Sequence, residues 1–393
     1  MANRKPSFEN TGSLLGSLAG LLYAVQGLGK GILTLLIYTA VPDRGVAFAV
    51  LNGTWGLKFL VVLPRGWGAA FERFPHWVQG VVMGGATLVM AGVIVGSPLL
   101  NVWTVIIAFS VARSIQDVFL DGWVNRVVRK TNYSSAENKM EIGSYAGELL
   151  VVLVGLLGVS MGWAHAVMAV IAVVVVLMMR KVFRRSWATG PELEAVYDRP
   201  YGMVNLSAEG PVLLLVIVLL FCEVLTFTSH SLNQVCEMWG VDVMTLVSLE
   251  LAAILAGVFY ASRKYSRTGW WQLAFWGNVG VALVLALGAF CMASLGWMGA
   301  VALVFGAFCF GVAFLATLTA VRRRVGKIDP TRRLAFWFLP VCLSGAIFPV
   351  LGQLAFKNAG WDLSTIWIVA MIGQAVPLTA LYFLPSGYKK TRD

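Results

Sequence analysis

Charge is what this chain has least of. Asp, Glu, Lys and Arg make up 12% of its 393 residues, while 59% are hydrophobic. A soluble domain of this size has no interior large enough for that much apolar surface. Histidine is nearly absent. The three present, His76, His165 and His230, are too scattered to make a metal cluster. Of the five cysteines, Cys222, Cys236, Cys291, Cys309 and Cys342, no pair has metal-ligand spacing and no disulfide framework is suggested, so they read as packing residues. There is no phosphate-binding loop, nucleophile elbow or zinc motif. These absences argue against an enzyme, a bound metal or cofactor, and ATP-driven work by this chain alone.

What is there instead is a succession of apolar runs, each long enough to span a bilayer. Lipid offers the backbone no hydrogen-bond partners, so such runs must be helices; they are too long for barrel strands and do not alternate. The reading is an all-α polytopic membrane protein with twelve transmembrane helices. They lie near 14–40, 46–64, 77–96, 99–127, 141–161, 163–182, 211–234, 243–262, 271–294, 297–321, 334–357 and 363–384. The opening stretch M-A-N-R-K-P-S-F-E-N has no cleavage-site pattern, so the first run is expected to be a retained helix.

The net charge of +11 has a topological explanation that needs no nucleic acid. With the N-terminus placed in the cytoplasm, nearly all Lys and Arg fall in cytoplasmic segments, where they can meet anionic lipid. Only Arg44 and Lys357 fall outside, and Lys30, Lys58 and Arg113 lie within spans. Both termini are then cytoplasmic. The longest loop, polar and carrying Pro191 and Pro200, separates an N-terminal six-helix half (1–182) from a C-terminal one (211–393), with 183–210 as the central cytoplasmic loop. A tight basic loop after the second span of each half, P-R-G-W and then S-R-K-Y-S-R-T-G-W-W, faintly repeats. This layout points to the pseudo-symmetric 6+6 bundle of the major facilitator architecture.

Ionisable groups inside a span are costly and rarely persist without a partner or a task. Arg113, Asp117 and Asp121 stand four residues apart in S-V-A-R-S-I-Q-D-V-F-L-D-G-W, on one helix face with Gln116 nearby. Tyr23, Gln26, Lys30 and Thr34 form a similar stripe in the first span, and Glu223, Thr226 and His230 one in the seventh. In the 6+6 architecture spans one, four, seven and ten line the central cavity. Tyr23, Gln26, Lys30, Arg113 and Gln116 are therefore candidate substrate contacts, the two cations suited to an anionic solute. The alternative is that Arg113 pairs with Asp117 along its helix and Lys30 with an acid on a neighbour. Asp117, Glu223 and His230 are candidate proton carriers, since burial and neighbouring charge move carboxyl and imidazole titration. Lys58 and Asp121 read as a structural or gating charge pair. Glu148 and Glu250, on helices expected to be less central, read as interhelical glue.

S-I-Q-D-V-F-L-D-G-W, residues 114–123, resembles the T-Q-D-x-x-x-D-[AG] signature of the AmpG-like muropeptide permeases and the acetyl-CoA transporter group, matching at Gln116, Asp117 and Asp121. G-L-K-F-L-V-V-L-P-R, residues 56–65, is similar to their L-K-F-L-W-A-P-L-V-D pattern through Lys58 and Phe59. RhtX/FptX siderophore permeases look similar in the same region. The likeness covers roughly residues 20–125, and Arg65-Gly66 stands where the family carries a gating acid. The resemblance implies a permease of the bacterial inner membrane, proton-coupled and monomeric, moving a bulky anionic solute such as a muropeptide or siderophore in symport. Export or antiport by the same fold, and a non-transporting assembly factor, remain alternatives.

Overall fold

The computed structural model describes residues 8–41, 43–54, 101–127, 133–157, 210–325 apart from 223, 225–226 and 229–230, and 330–389. Within these, every regular element is helical. They are α1 (Phe8–Ala40), α2 (Arg44–Gly53), α3 (Val102–Val127), α4 (Tyr133–Leu156), α5 (Gly210–Cys222), α6 (Leu232–Trp239), α7 (Val243–Thr268), α8 (Trp270–Leu295), α9 (Trp297–Val325), α10 (Pro330–Gln353), α11 (Leu363–Phe383) and the short α12 (Ser386–Lys389). A π-helical turn, Leu354–Asn358, continues α10. Six described helices contain a stretch long and apolar enough to cross a membrane: Gly16–Leu35, Val243–Tyr265, Trp270–Cys291, Trp297–Arg324, Phe336–Asn358 and Leu363–Phe383. The expected spans 77–96 and 163–182, and the central loop 183–210 up to residue 209, lie outside the described residues.

One expected span comes out differently. Residues 211–234 do not form a single α-helix: α5 ends at Cys222, backbone at Val224 and at Phe227–Thr228 is wound more tightly, and α6 starts only at Leu232. The sequence changes character at the break. An unbroken apolar run gives way to E-V-L-T-F-T-S-H-S, whose hydroxyl side chains compete for backbone partners. Ser231 does so, its Oγ donating to the Thr228 carbonyl at 2.7 Å. Glu223, Thr226 and His230, expected on one stripe of this span, lie outside the described residues.

Among the described helices the most intimate packing is between α1 and α4, which run parallel along most of their length. The seam is built from small residues. A Cβ added to Gly20 would lie 2.9 Å from the Lys139 carbonyl oxygen, one on Gly31 2.8 Å from that of Glu148, and one on Gly147 2.8 Å from the Leu28 amide nitrogen. Between membrane helices, where burial in lipid gives no hydrophobic gain, such close backbone approach is what holds the pair. It also decides the site, because it sets the α1 and α4 side chains face to face.

Among the described residues, the early helices meet the later ones at opposite ends of the bundle. α2 packs on α10, where Asn52 Nδ2 donates to the Gly345 carbonyl at 3.2 Å, Gln353 Nε2 donates to Asp43 at 3.1 Å, and exposed Lys357 lies 3.5 Å from Asp43. At the other end α4 meets α7 and α9, and Arg322 Nη1 pairs with Glu141 at 3.1 Å, both side chains at most one-tenth exposed.

Candidate solute cavity

Between these two linkages lies a cavity of about 260 Å³. α1 contributes Tyr23, Lys30, Thr34 and Tyr38; α3 contributes Arg113; α4 contributes Glu141, Ser144, Tyr145 and Glu148. The opposite wall, from α7, α9 and α10, is apolar at Val247, Leu251, Ile254, Phe314 and Pro349, with Glu250 set into it.

Lys30 is not a bare cation. Its Nζ lies 2.8 Å from Glu148 Oε2, and the Thr34 hydroxyl donates to the other carboxylate oxygen at 3.3 Å. The Lys30 side chain keeps 26% of its surface accessible, whereas that of Glu148 keeps 4%. The acid is thus the buried anchor and the ammonium the reachable partner. Lys30 also lies 5.9 Å from the centre of the Tyr145 ring, within cation–π range.

A second tie crosses from α1 to α3. The Tyr23 hydroxyl donates to Asp117 Oδ1 at 2.6 Å, and Asp117 is wholly buried. Arg113, one turn earlier, is buried and contributes to the cavity wall. Gln26 and Gln116 are buried as well, and neither lines the cavity. The Gln26 Nε2 and both amide heteroatoms of Gln116 lack a hydrogen-bond partner among the described residues. Buried amides in that condition are rare and costly, so this α1–α3 contact has hydrogen-bonding capacity to spare.

The structure therefore brings Tyr23, Lys30 and Arg113 to one cavity, with Asp117 behind Tyr23. Lys58, Glu223, His230 and the side chain of Asp121 fall outside the described residues. Two cavity residues were read from the sequence as mere glue: Glu148 and Glu250. Glu148 does bridge helices, but it does so in the cavity wall, against the very lysine singled out as a solute contact. The signal that exposes it is the small-residue spacing of Gly143 and Gly147 beside Gly27 and Gly31, which marks α1 and α4 as close neighbours. No group of three or more His, Cys, Asp or Glu residues able to hold a metal is present among the described residues.

The architecture is that of an all-α integral membrane protein with the major facilitator superfamily fold. Solved structures of this fold match nearly the full chain. The E. coli fucose:proton symporter FucP aligns at a TM-score of 0.67 and 14% identity, covering 97% of this chain and 100% of its own. A bacterial homologue of the iron transporter ferroportin, in an outward-facing state with soaked iron, aligns at 0.64 and 14%, covering 94% and 99%. The nucleoside transporter NupG aligns at 0.60 and 14%, covering 96% and 100%. At these identities the likeness is one of fold. No family model and no curated protein matches the sequence, and nothing in the comparisons singles out the muropeptide-permease or acetyl-CoA transporter groups.

Proposed function

We propose that the protein is a secondary transporter that moves an organic solute bearing an anionic group across the membrane by alternating access, coupled to protons. The observation that carries this reading is the Lys30–Glu148 pair in a cavity between the two inter-helix linkages of a major facilitator fold. The six-helix halves, 1–182 and 211–393, would rock about this cavity, the Asp43–Gln353 and Glu141–Arg322 contacts opening in turn. Charge placement favours cytoplasmic termini, and the resemblance of residues 56–65 and 114–123 implies a bacterial inner membrane. A cavity of about 260 Å³ sits at the small end of ligand pockets. It suits a solute of modest size and lends no support to a muropeptide- or siderophore-sized cargo.

The pair dictates how an anion would bind. An incoming carboxylate or phosphate reaches Lys30 from its accessible side and competes with Glu148 for it, while Arg113 offers a second cationic contact. Lys30→Gln and Glu148→Gln should then act in opposite directions. The first removes the cation and weakens binding; the second frees the cation and strengthens it. The test is a thermal-shift panel of purified protein against small organic acids, phosphates and nucleotide-linked anions, followed by uptake of any hit into proteoliposomes with an imposed pH gradient. A ligand that binds the folded state raises the melting temperature by mass action. Hits that respond equally in both variants, or uptake indifferent to the gradient, would sink the reading.

A further inference from the structure

Pro349 removes a rung from the hydrogen-bond ladder of α10, and a side chain of another helix takes the vacated acceptor. A proline has no N–H, and its ring pushes against the carbonyl four residues earlier. Pro349 lies inside α10, so the Gly345 carbonyl has no i+4 amide to accept from. That carbonyl accepts from outside the helix instead: Asn52 Nδ2 of α2 donates to it at 3.2 Å. Small residues on both helices bring α2 within reach. A Cβ added to Gly345 would lie 3.3 Å from the Asn52 Cβ, and one on Gly53 2.9 Å from the Ala346 Cβ. The contact sits at the edge of the cavity, whose wall includes both Asn52 and Pro349. Asn52 is half-buried, whereas Gly345 and Pro349 are buried. One turn further on, Gln353 makes a second polar tie, to Asp43 at the start of α2. The chain then departs from the α-helical ladder again, in the π-helical turn Leu354–Asn358.

A buried carbonyl without a partner is costly, and a proline or a π-helical turn is where a helix bends. While α2 and α10 are together, the asparagine satisfies the Gly345 carbonyl. When they part, cavity water or a donor on the solute reaches the same oxygen, so neither state strands it. In an uninterrupted helix that carbonyl would already be engaged within the ladder, leaving Asn52 a poorer acceptor. We infer that Asn52 is the gating residue of the α2–α10 contact and that Pro349 creates the acceptor it grips. The step exchanges one hydrogen bond to the Gly345 carbonyl for another, with no covalent bond made or broken. Its use in transport rests on the alternating-access reading; the dependence of the Asn52 contact on Pro349 does not.

The test is a double-mutant cycle read as a distance, and it needs no solute. Spin labels on non-natural residues at exposed Val46 of α2 and exposed Leu351 of α10 report the separation of the two helices in the lipid-reconstituted full chain. Asn52→Leu keeps the side-chain shape and removes the donor. It should raise the separated population roughly two- to tenfold, the range of one net hydrogen bond. Pro349→Ala restores an amide that takes the Gly345 carbonyl back into the ladder, and should raise that population by a similar factor. The expected result is that Asn52→Leu adds nothing further in the Pro349→Ala background. An Asn52→Leu effect of equal size in both backgrounds overturns the proposal, as does an unchanged distance in Asn52→Leu alone. If Pro349→Ala does not fold, Pro349→Gly restores the same amide without a side chain and completes the cycle. Non-additivity supports the proposal even if pH-driven uptake fails, a result that would count against the transport reading alone.

Discussion

Lys30 and Glu148 show why an ion pair inside a membrane protein must be read from both partners. Removing the ammonium leaves a carboxylate with 4% of its side chain exposed and, among the described residues, only Thr34 to satisfy it. Lys30→Ala should destabilise the fold by roughly 2–4 kcal/mol, the lower end reflecting the partial exposure of the lysine. The double variant Lys30→Met, Glu148→Met should recover most of that loss, because no buried charge is left unpaired. Chemical denaturation in detergent of the two singles and the double measures this. Near-additive losses would show that the pair is not coupled. Tyr23→Phe is a narrower change. It deletes one donor to a fully buried Asp117, and about 1–3 kcal/mol should go with it.

At the scale of elements, the α1–α4 seam is where side-chain volume is least tolerated. Gly31→Leu and Gly147→Leu drive carbon into backbone of the partner helix, which flexible side chains cannot relieve by moving aside. Each should cost upward of about 3 kcal/mol. Gly210→Ala is the control, since a Cβ there meets nothing within 4 Å. It should be neutral or slightly stabilising. Melting temperatures of the three variants decide between a packed seam and a loose one. Two helices also carry a pH-sensitive start. Asp242 caps α7 by accepting from the Thr245 amide at 2.7 Å, and Asp362 caps α11 by accepting from the Thr365 amide at 2.7 Å. For Asp242 the backbone hydrogen bond from Thr245, with its hydroxyl, holds the carboxyl below the usual aspartate range; for Asp362 it is Thr365. A carboxyl held low in the folded state stabilises above its unfolded titration range and loses that contribution as pH falls through its folded value. Hydrogen exchange in the first turns of α7 and α11 should therefore speed up on acidification, beyond the intrinsic pH effect. Asp242→Asn and Asp362→Asn should flatten that response.

At the scale of the whole molecule, the buried Arg322–Glu141 pair ties α9 to α4 at one end of the bundle, and the more exposed Asp43 contacts tie α2 to α10 at the other. Among the described residues the two ends differ in how deeply their ion pairs are buried. Breaking the buried pair with Arg322→Ala strands a largely buried carboxylate and should cost about 3 kcal/mol or more in the state that contains it. The population should then shift toward conformers open at the α9 C-terminal end. Spin-label distances between that end of α9 and the start of α4 should lengthen in Arg322→Ala. Lys357→Ala, which removes an ion pair between exposed side chains, should leave them unchanged.

Much of this protein was written in the order of its residues. Apolar runs of bilayer length dictated membrane helices, because lipid leaves the backbone no other partner. The placement of α1, α3, α7, α8, α9, α10 and α11 follows those runs to within several residues. Tyr23, Lys30 and Arg113 were identifiable as cavity residues because charge and polarity at helical spacing are conspicuous against an apolar background. Pairing was not legible in this way. Which acid meets Lys30 depends on how closely α1 and α4 approach, and that distance is set by glycine backbone contacts that hydropathy does not record. The break between α5 and α6 was also hidden, since the apolar count is similar whether a span is one helix or two. Glu250 looked peripheral in the chain and became a cavity residue only when α7 packed against α4, because a side chain's solvent is decided by its neighbours in space.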